Sequence, residues 1–316
     1  MLRGVTETVK QDNYPILGDS DVAGLEMSRA VACMEDAFRL HAEGKLVAPA
    51  RIAADLGEAG NLVYTCGGST EGAQVSGFRF YDMKHLNSPN RSELNAVFSS
   101  EDGRLLGLVV GPRLGQMRTG AIGGVAMKYL SRTDSKVLGM VGAGRQARTQ
   151  LPAALAVRNF ETVRVFSRTA ERRDSFVAEM TKELNIEIEP VDSAEAAVGD
   201  ADVVLCTTAS KEPVIRVDWL KPGAHINNVG PKFKDGQEVG MDVVERAGLL
   251  TTDTFAQMET FGDNFILHDT PYWNKVVELS AIVSGNRPGR QSDEEITLFH
   301  SLGLAGTEVL LASELL

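Results

Sequence analysis

Val137-Leu138-Gly139-Met140-Val141-Gly142-Ala143-Gly144-Arg145-Gln146-Ala147 is the stretch whose reading decides the fold. A short apolar run of strand character leads directly into Gly-x-Gly-x-x-Ala, and a helix opens behind it. In such a strand–turn–helix unit Gly142 permits the tight turn, Gly144 lets a phosphate approach the backbone, and Ala147 lets the helix pack closely. A bare glycine pattern is common, but this one stands where a dinucleotide turn belongs. Gly142, Gly144, Arg145 and Gln146 are therefore expected to hold a dinucleotide.

Working outward, the residues after the turn alternate regularly between strand and helix patterns. Strands are expected at 163–167, 186–191, 203–207, 224–229 and 248–252, which predicts a parallel sheet with covering helices, an α/β domain of the doubly wound type. Before the turn the signals differ. Residues 23–43 space Met27, Val31, Met34, Phe38 and His41 by four and three, with Gly44 as the stop, which is an amphipathic helix. From 50 to 110 come short runs around Leu62-Val63-Tyr64, Gly77-Phe78-Arg79-Phe80, Ala96-Val97-Phe98 and 105–109. With Asp102-Gly103 as a hairpin turn between the last two, they predict an antiparallel sheet. Residues 119–129 are rich in glycine and alanine, which suits a helix approached closely by a backbone or a ligand. Near the end, Ser292 and Glu295 read as a capping box for a helix, and another helix is expected over 305–316.

The end of the second strand of the unit selects the cofactor, because an acidic residue there would bind an adenosine ribose and repel a 2′-phosphate. Here the sequence is Ser167-Arg168-Thr169, with Arg172 and Arg173 one turn later. Hydroxyls and guanidiniums make a phosphate site, so NADP(H) is the expected cofactor and NAD(H) the alternative. Equally open is that these arginines are solvated surface.

The chain has 316 residues, 43% hydrophobic and 24% charged, an ordinary globular composition with room for two domains. A formal charge of −11 repels polyphosphate, so neither nucleic acid nor an anionic membrane is an expected partner. Cys33, Cys66 and Cys206 are widely spaced and expected to be buried thiols. The five histidines show no metal-ligand spacing, and no metal is expected. His225, His268 and His300 read as structural, Trp219 and Trp273 as packing residues. The stretch 1–14 contains Glu7, Lys10 and Asp12 and lacks a signal-type apolar core, and no segment offers ~18 uninterrupted apolar residues. A cytoplasmic protein is expected.

Pro49-Ala50-Arg51, Gly77-Phe78-Arg79, Arg118-Thr119-Gly120-Ala121, Lys128-Tyr129-Leu130, the glycine turn, Ala201-Asp202-Val203-Val204, 223–227 and 294–303 follow one another along nearly the whole chain. In that order and spacing they resemble the ornithine cyclodeaminase and mu-crystallin family, which also contains an archaeal-type alanine dehydrogenase. The resemblance implies a Rossmann-type domain at 126–291. It also implies a discontinuous α+β domain for substrate and dimerisation, made of 1–125 and 292–316, facing the first across a cleft in a homodimer. Members oxidise or reduce the Cα–N bond of a small amino-acid or imino-acid substrate. Carried over residue by residue, the cofactor contacts fall on Thr119, Thr207, Thr208, Val229, Ser301 and Gly303, and the substrate carboxylate on Arg51, Arg79 and Arg118. The residues themselves agree for Arg51 and Arg118, which stand at element ends and suit bidentate pairing.

Two departures bear on the chemistry. The family lysine of the second stretch is Arg79 here, which keeps the charge but gives up a group that loses its proton easily, so a catalytic part for Arg79 rests on charge alone. The aspartate of the family's VGxD stretch is replaced: the sequence reads Val229-Gly230-Pro231-Lys232, with Glu238 fixing the register. Lys232 is either a cleft residue with a catalytic contact or an exposed loop lysine beside Lys234 and Asp235. Cyclodeamination of ornithine to proline and ammonia needs a base that accepts and returns protons, whereas reduction of a preformed imine asks only for an anchored carboxylate, a hydride donor at the right face and a proton that an already protonated iminium brings with it. An imine or ketimine reductase, or amino-acid dehydrogenase, is the expected enzyme. Cyclodeamination, or NADPH binding without turnover, are the alternatives.

Overall fold

The computed structural model describes residues 14–316 apart from 87 and 89, so the reading of the N-terminal stretch, over 1–13, lies outside the described residues. A seven-stranded sheet is built from the first half of the chain. Its order is Ile16–Leu17, Leu105–Val110, Leu94–Ser99, Val75–Asp82, Asn61–Ser69 and Leu46–Val47, with Ile52–Asp55 also paired to Asn61–Ser69. The ladders are antiparallel except at the outer strand Ile16–Leu17. One face is covered by the helices Met27–Ala42, Arg113–Leu130 and Thr307–Ser313, whose apolar residues Met34, Phe38, Leu114, Ile122 and Leu311 are buried with Val75, Val97 and Val109 of the sheet. On the other face Ile52, Tyr64 and Phe80 stand opposite one another in adjacent strands and are 64%, 37% and 40% exposed.

The second sheet has eight parallel strands. Its order is Glu189–Pro190, Thr162–Phe166, Val137–Val141, Val203–Cys206, His225–Asn228, Thr297–His300, Leu249–Thr252 and Val276–Glu278. The chain leaves Val137–Val141 toward one edge and resumes on its other side at Val203–Cys206, so the strand order reverses between these two. Ligands of such sheets bind in the crevice outside the carboxyl ends at this point.

One expectation is overturned. Residues after Ser292 do not form a capped helix: Glu295 accepts from the Gln291 N–H in a turn, and Thr297–His300 becomes a strand between His225–Asn228 and Leu249–Thr252. Residues 296–300 are buried on both faces, and a short apolar run of this kind has no periodicity to tell a central strand from a helix. The segment from 292, assigned by resemblance to the first domain, thus enters the second sheet before the chain returns as Thr307–Ser313 to the first. The three-residue strand Val276–Glu278 is likewise absent from the sequence-based expectation, being too short to show a period. Of the thiols, Cys206 is buried, while Cys33 and Cys66 are only partly so. Among the described residues no helix is long and apolar enough to cross a membrane.

The helices Arg113–Leu130 and Ala147–Val157 join the two sheets through a glycine contact. A Cβ on Gly120 would stand 2.5 Å from the Thr149 carbonyl oxygen, which accounts for the small residues of the first helix.

Candidate active site

The glycine turn folds as its sequence requires. Gly142 has φ +110°, in the region that favours glycine, and a Cβ there would stand 2.8 Å from Thr207 Oγ1. The Thr207 hydroxyl donates to the Gly142 carbonyl at 3.1 Å, so the two strands flanking the reversal are tied at their carboxyl ends. Around Gly144 the space is open, its nearest neighbour for a Cβ being the Thr207 carbonyl oxygen at 3.9 Å. An uncrowded glycine before the first turn of the eleven-residue helix Ala147–Val157 fits a dinucleotide pyrophosphate. Thr119 borders the turn's helix, its carbonyl accepting from Gln150 Nε2 at 3.0 Å. Arg145 reaches instead toward the first sheet, where Nη1 donates to the Leu86 carbonyl at 2.8 Å on the wall of an open cavity of about 580 Å³.

Ser167, Arg168, Thr169 and Arg172 follow the second strand at the surface. Arg168 and Arg172 make no ion pair among the described residues, so both guanidiniums are free for a phosphate. Arg173 is not: it is held by Asp174, Asp192 and the Val191 carbonyl.

The second part of the site is an ionic cluster. Arg51 Nη2 donates to the Leu302 carbonyl, and its backbone N–H to Gln257 Oε1 at 3.1 Å. Arg118 is buried; its Nη2 donates to Glu308 Oε1 at 2.6 Å and its Nε is left without a partner. Both guanidiniums meet at Gly303, whose φ is +92°: a Cβ there would fall 2.0 Å from Arg51 Nη2 and 2.9 Å from Arg118 Nη1. Burial alone would raise the Glu308 carboxyl, but Arg118, Arg79 and Arg51 outweigh it and hold the group at about 2. Burial, aided by repulsion from Arg51 and Arg79, lowers the Arg118 guanidinium. Like charges so gathered create a demand for an anion.

Arg79 stands apart from the expected substrate-facing role. Nε donates to Glu93 at 3.0 Å, Nη1 to Glu308 at 3.1 Å, and the guanidinium lies 4.1 Å over the Tyr81 ring. Two carboxylates and an aromatic face already occupy it, so it braces Glu308 against Arg118.

Lys232 is 4% exposed, which removes the exposed-loop reading. Its ammonium donates to the Ser301 carbonyl at 2.8 Å and the Val229 carbonyl at 3.3 Å, bridging the ends of His225–Asn228 and Thr297–His300. Burial pulls it down to about 8 against the support of Glu238 and Asp253. Glu238 accepts from the Thr208 N–H at 2.7 Å, the Thr208 hydroxyl at 2.8 Å and the Gly230 N–H, so Thr208 is engaged in holding the loop. His300 and His225 are buried and lowered to about 3 by desolvation, consistent with structural imidazoles.

Four acidic residues of this site, Glu93, Glu238, Asp253 and Glu308, were not among the expected ones. Asp253 carried a usable signal, a carboxylate directly after an apolar strand of the parallel sheet. Glu93 and Glu308 carried none, since they lie 14 and 229 positions from the arginine they share. Elsewhere, Asp263, His268 and Asp269 bring ligand-type atoms within 4.8 Å of one another, but the two carboxylates are exposed, and among the described residues no further histidine, cysteine or carboxylate joins them.

The sequence profile of the ornithine cyclodeaminase/mu-crystallin family matches residues 17–314. The chain is similar to the ketimine reductase mu-crystallin of Rattus norvegicus, 31% identical over 237 residues, 75% of this chain and 72% of that one. Its structure is similar to that of Thermococcus litoralis Delta(1)-pyrroline-2-carboxylate reductase in complex with NADH and L-proline, with TM-score 0.84 and 31% identity, covering 95% and 96% of the two chains. An archaeal alanine dehydrogenase dimer with bound NAD matches with TM-score 0.84 and 28% identity over 96% and 94%.

The ionic cluster is testable without any ligand. A carboxyl lowered from 4.5 to about 2 contributes stability that is complete above the unfolded value and lost as pH falls through the folded one. Glu308→Gln should cost about 3–5 kcal/mol at neutral pH, by leaving buried guanidiniums uncompensated, and should flatten the fall in stability between pH 4.5 and 2 in urea titrations. An unaltered acid profile would refute the pairing.

Proposed function

The chain belongs to the ornithine cyclodeaminase/mu-crystallin family, and from that premise we propose that it is an NADPH-preferring reductase of cyclic or acyclic imines of 2-oxo acids, reversible as an amino-acid dehydrogenase. The observation that carries this reading is the meeting of Arg51 and Arg118 at Gly303, at the carboxyl ends of the sheet that also holds the glycine turn. A substrate carboxylate entering there accepts from two guanidiniums, which fixes the adjoining Cα in place and orientation. Gly142, Gly144, Gln146 and the start of Ala147–Val157 would hold the cofactor, which supplies hydride to that carbon.

Lys232 supplies the proton. The lone pair of the imine nitrogen takes a proton from the ammonium, which makes the C=N bond an iminium electrophile; hydride adding to its carbon moves the π pair onto nitrogen as the amine lone pair, and solvent restores the proton to Lys232. A group lowered to about 8 is mostly protonated at neutral pH and so serves as an acid there. This favours imine reduction over cyclodeamination, which demands a base at the start. Purified protein with NADPH should consume cofactor in the presence of cyclic ketimine carboxylates, or of pyruvate with an amine. The turnover number should fall as pH rises through about 8, because the donor is then deprotonated. Lys232→Met should remove that limb and lower turnover about 10²–10⁴-fold. No NADPH oxidation across the panel would refute the reading.

The cofactor preference rests on the unpaired Arg168 and Arg172 after the second strand. Replacing both by Ala should weaken NADPH binding at least about tenfold, each guanidinium–phosphate pair being a charge-assisted contact, and leave NADH binding unchanged. Equal loss for the two cofactors would count against the phosphate site.

The exposed row Ile52, Tyr64 and Phe80 supports a homodimer through the outer face of the first sheet, since a monomer rarely leaves such an apolar patch in water. Sedimentation should give a dimer for the wild type and a monomer for Phe80→Glu; a dimer in both would place the interface elsewhere.

A further inference from the structure

Asp253 follows the strand Leu249–Thr252 at its carboxyl end and is completely buried. Its two oxygens do different things. Oδ2 accepts from the backbone N–H groups of both Leu302 and Gly303, the latter at 2.7 Å, and so fixes the loop on which Arg51 and Arg118 meet. Oδ1 has no partner, although it is out of water. Buried carboxylate oxygens are normally satisfied, so this one marks a place for a donor that the protein itself does not provide. Arg51, Arg118 and Lys232 all act on Asp253 or feel it electrostatically, yet no ion pair to it within 4.0 Å occurs among the described residues. The cluster therefore presents two converging guanidiniums and, one hydrogen bond away through Gly303, an unpaired carboxylate oxygen.

That arrangement is complementary to a zwitterion. An α-amino or α-iminium acid carries its negative carboxylate and positive nitrogen on adjacent atoms, a few ångströms apart. With the carboxylate on Arg51 and Arg118, a cationic N–H needs an acceptor beside them. We propose that Asp253, through Oδ1, accepts the hydrogen bond of the substrate's cationic nitrogen and so selects amino and iminium acids over hydroxy acids of the same skeleton. This assignment rests on the imine-reductase reading and deepens it. A hydroxyl presented to Asp253 would bring no positive charge into the cluster, and so would forgo the Coulomb attraction that a cationic nitrogen adds to the hydrogen bond. Lys232, held at the Ser301 and Val229 carbonyls across the same loop, is then beside the nitrogen that needs its proton.

Asp253→Asn is the informative variant, because an amide oxygen still accepts from the Leu302 and Gly303 N–H groups while the other position becomes a donor. Calorimetric titration of the NADP⁺-loaded protein with L-alanine and with L-lactate reads the charge of the ligand directly. The variant should bind L-alanine at least about tenfold more weakly than the wild type and L-lactate unchanged, with NADPH affinity also unchanged. Equal weakening of both ligands would make Asp253 a structural clamp only, and no change in either would remove it from the site; both results overturn the assignment. Should the variant not fold, the wild type decides: L-alanine must bind at least about tenfold more tightly than L-lactate, and equal affinities overturn the proposal. NADPH oxidation with imines tests the underlying reading separately, so turnover by the wild type together with an Asp253→Asn that keeps the wild-type preference for L-alanine over L-lactate would sink only this inference.

Discussion

Arg51 and Arg118 are brought together in the protein interior, and the rest of the site is arranged around the cost of doing so. A buried Arg118 and a half-buried Arg51 repel each other and give up hydration, which is tolerable only with a counter-charge and with good hydrogen bonds for their remaining protons. Glu308 is that counter-charge, shared with Arg79, which Glu93 steadies in turn. Gly303 supplies the space, since no side chain fits between them. The compensation is incomplete, and the proposed carboxylate anchor draws on what remains.

The interlocked topology follows from this constraint. Arg51 and Arg79 come from the first sheet region, Arg118 from the helix that bridges the sheets, and Glu308 from the last helix. The loop 301–303 enters only because Thr297–His300 is threaded into the middle of the second sheet. Arg51, Arg118 and Glu308 stand together because the C-terminal segment pairs with two strands and then returns to the first core. Asp253 and Lys232 serve the same loop from either side, one gripping its N–H groups and the other its Ser301 carbonyl.

A chain of net charge −11 thus brings Arg51 and Arg118 together at one glycine within a cluster of paired charges. Low dielectric inside the protein keeps those interactions from being averaged into the acidic field of the whole, so overall charge says little about a small anion held at close range.

The sequence by itself determined the parallel domain, the antiparallel sheet with its Asp102-Gly103 hairpin, the small-residue helix and the glycine turn. These are local matters: periodicity, turn chemistry and the absence of side chains at fixed spacings. It also pointed to Arg51, Arg118 and Lys232 by their places in recognisable stretches. Only the tertiary structure decided what those residues face. It buried Lys232, gave Arg79 to Glu93 and Glu308, turned a supposed capped helix into a central strand, and set Asp253 with one free oxygen beside the anchor. The reason is physical: an ion pair between residues 229 positions apart leaves no trace in local pattern, and a four-residue run buried on both faces has no period to read.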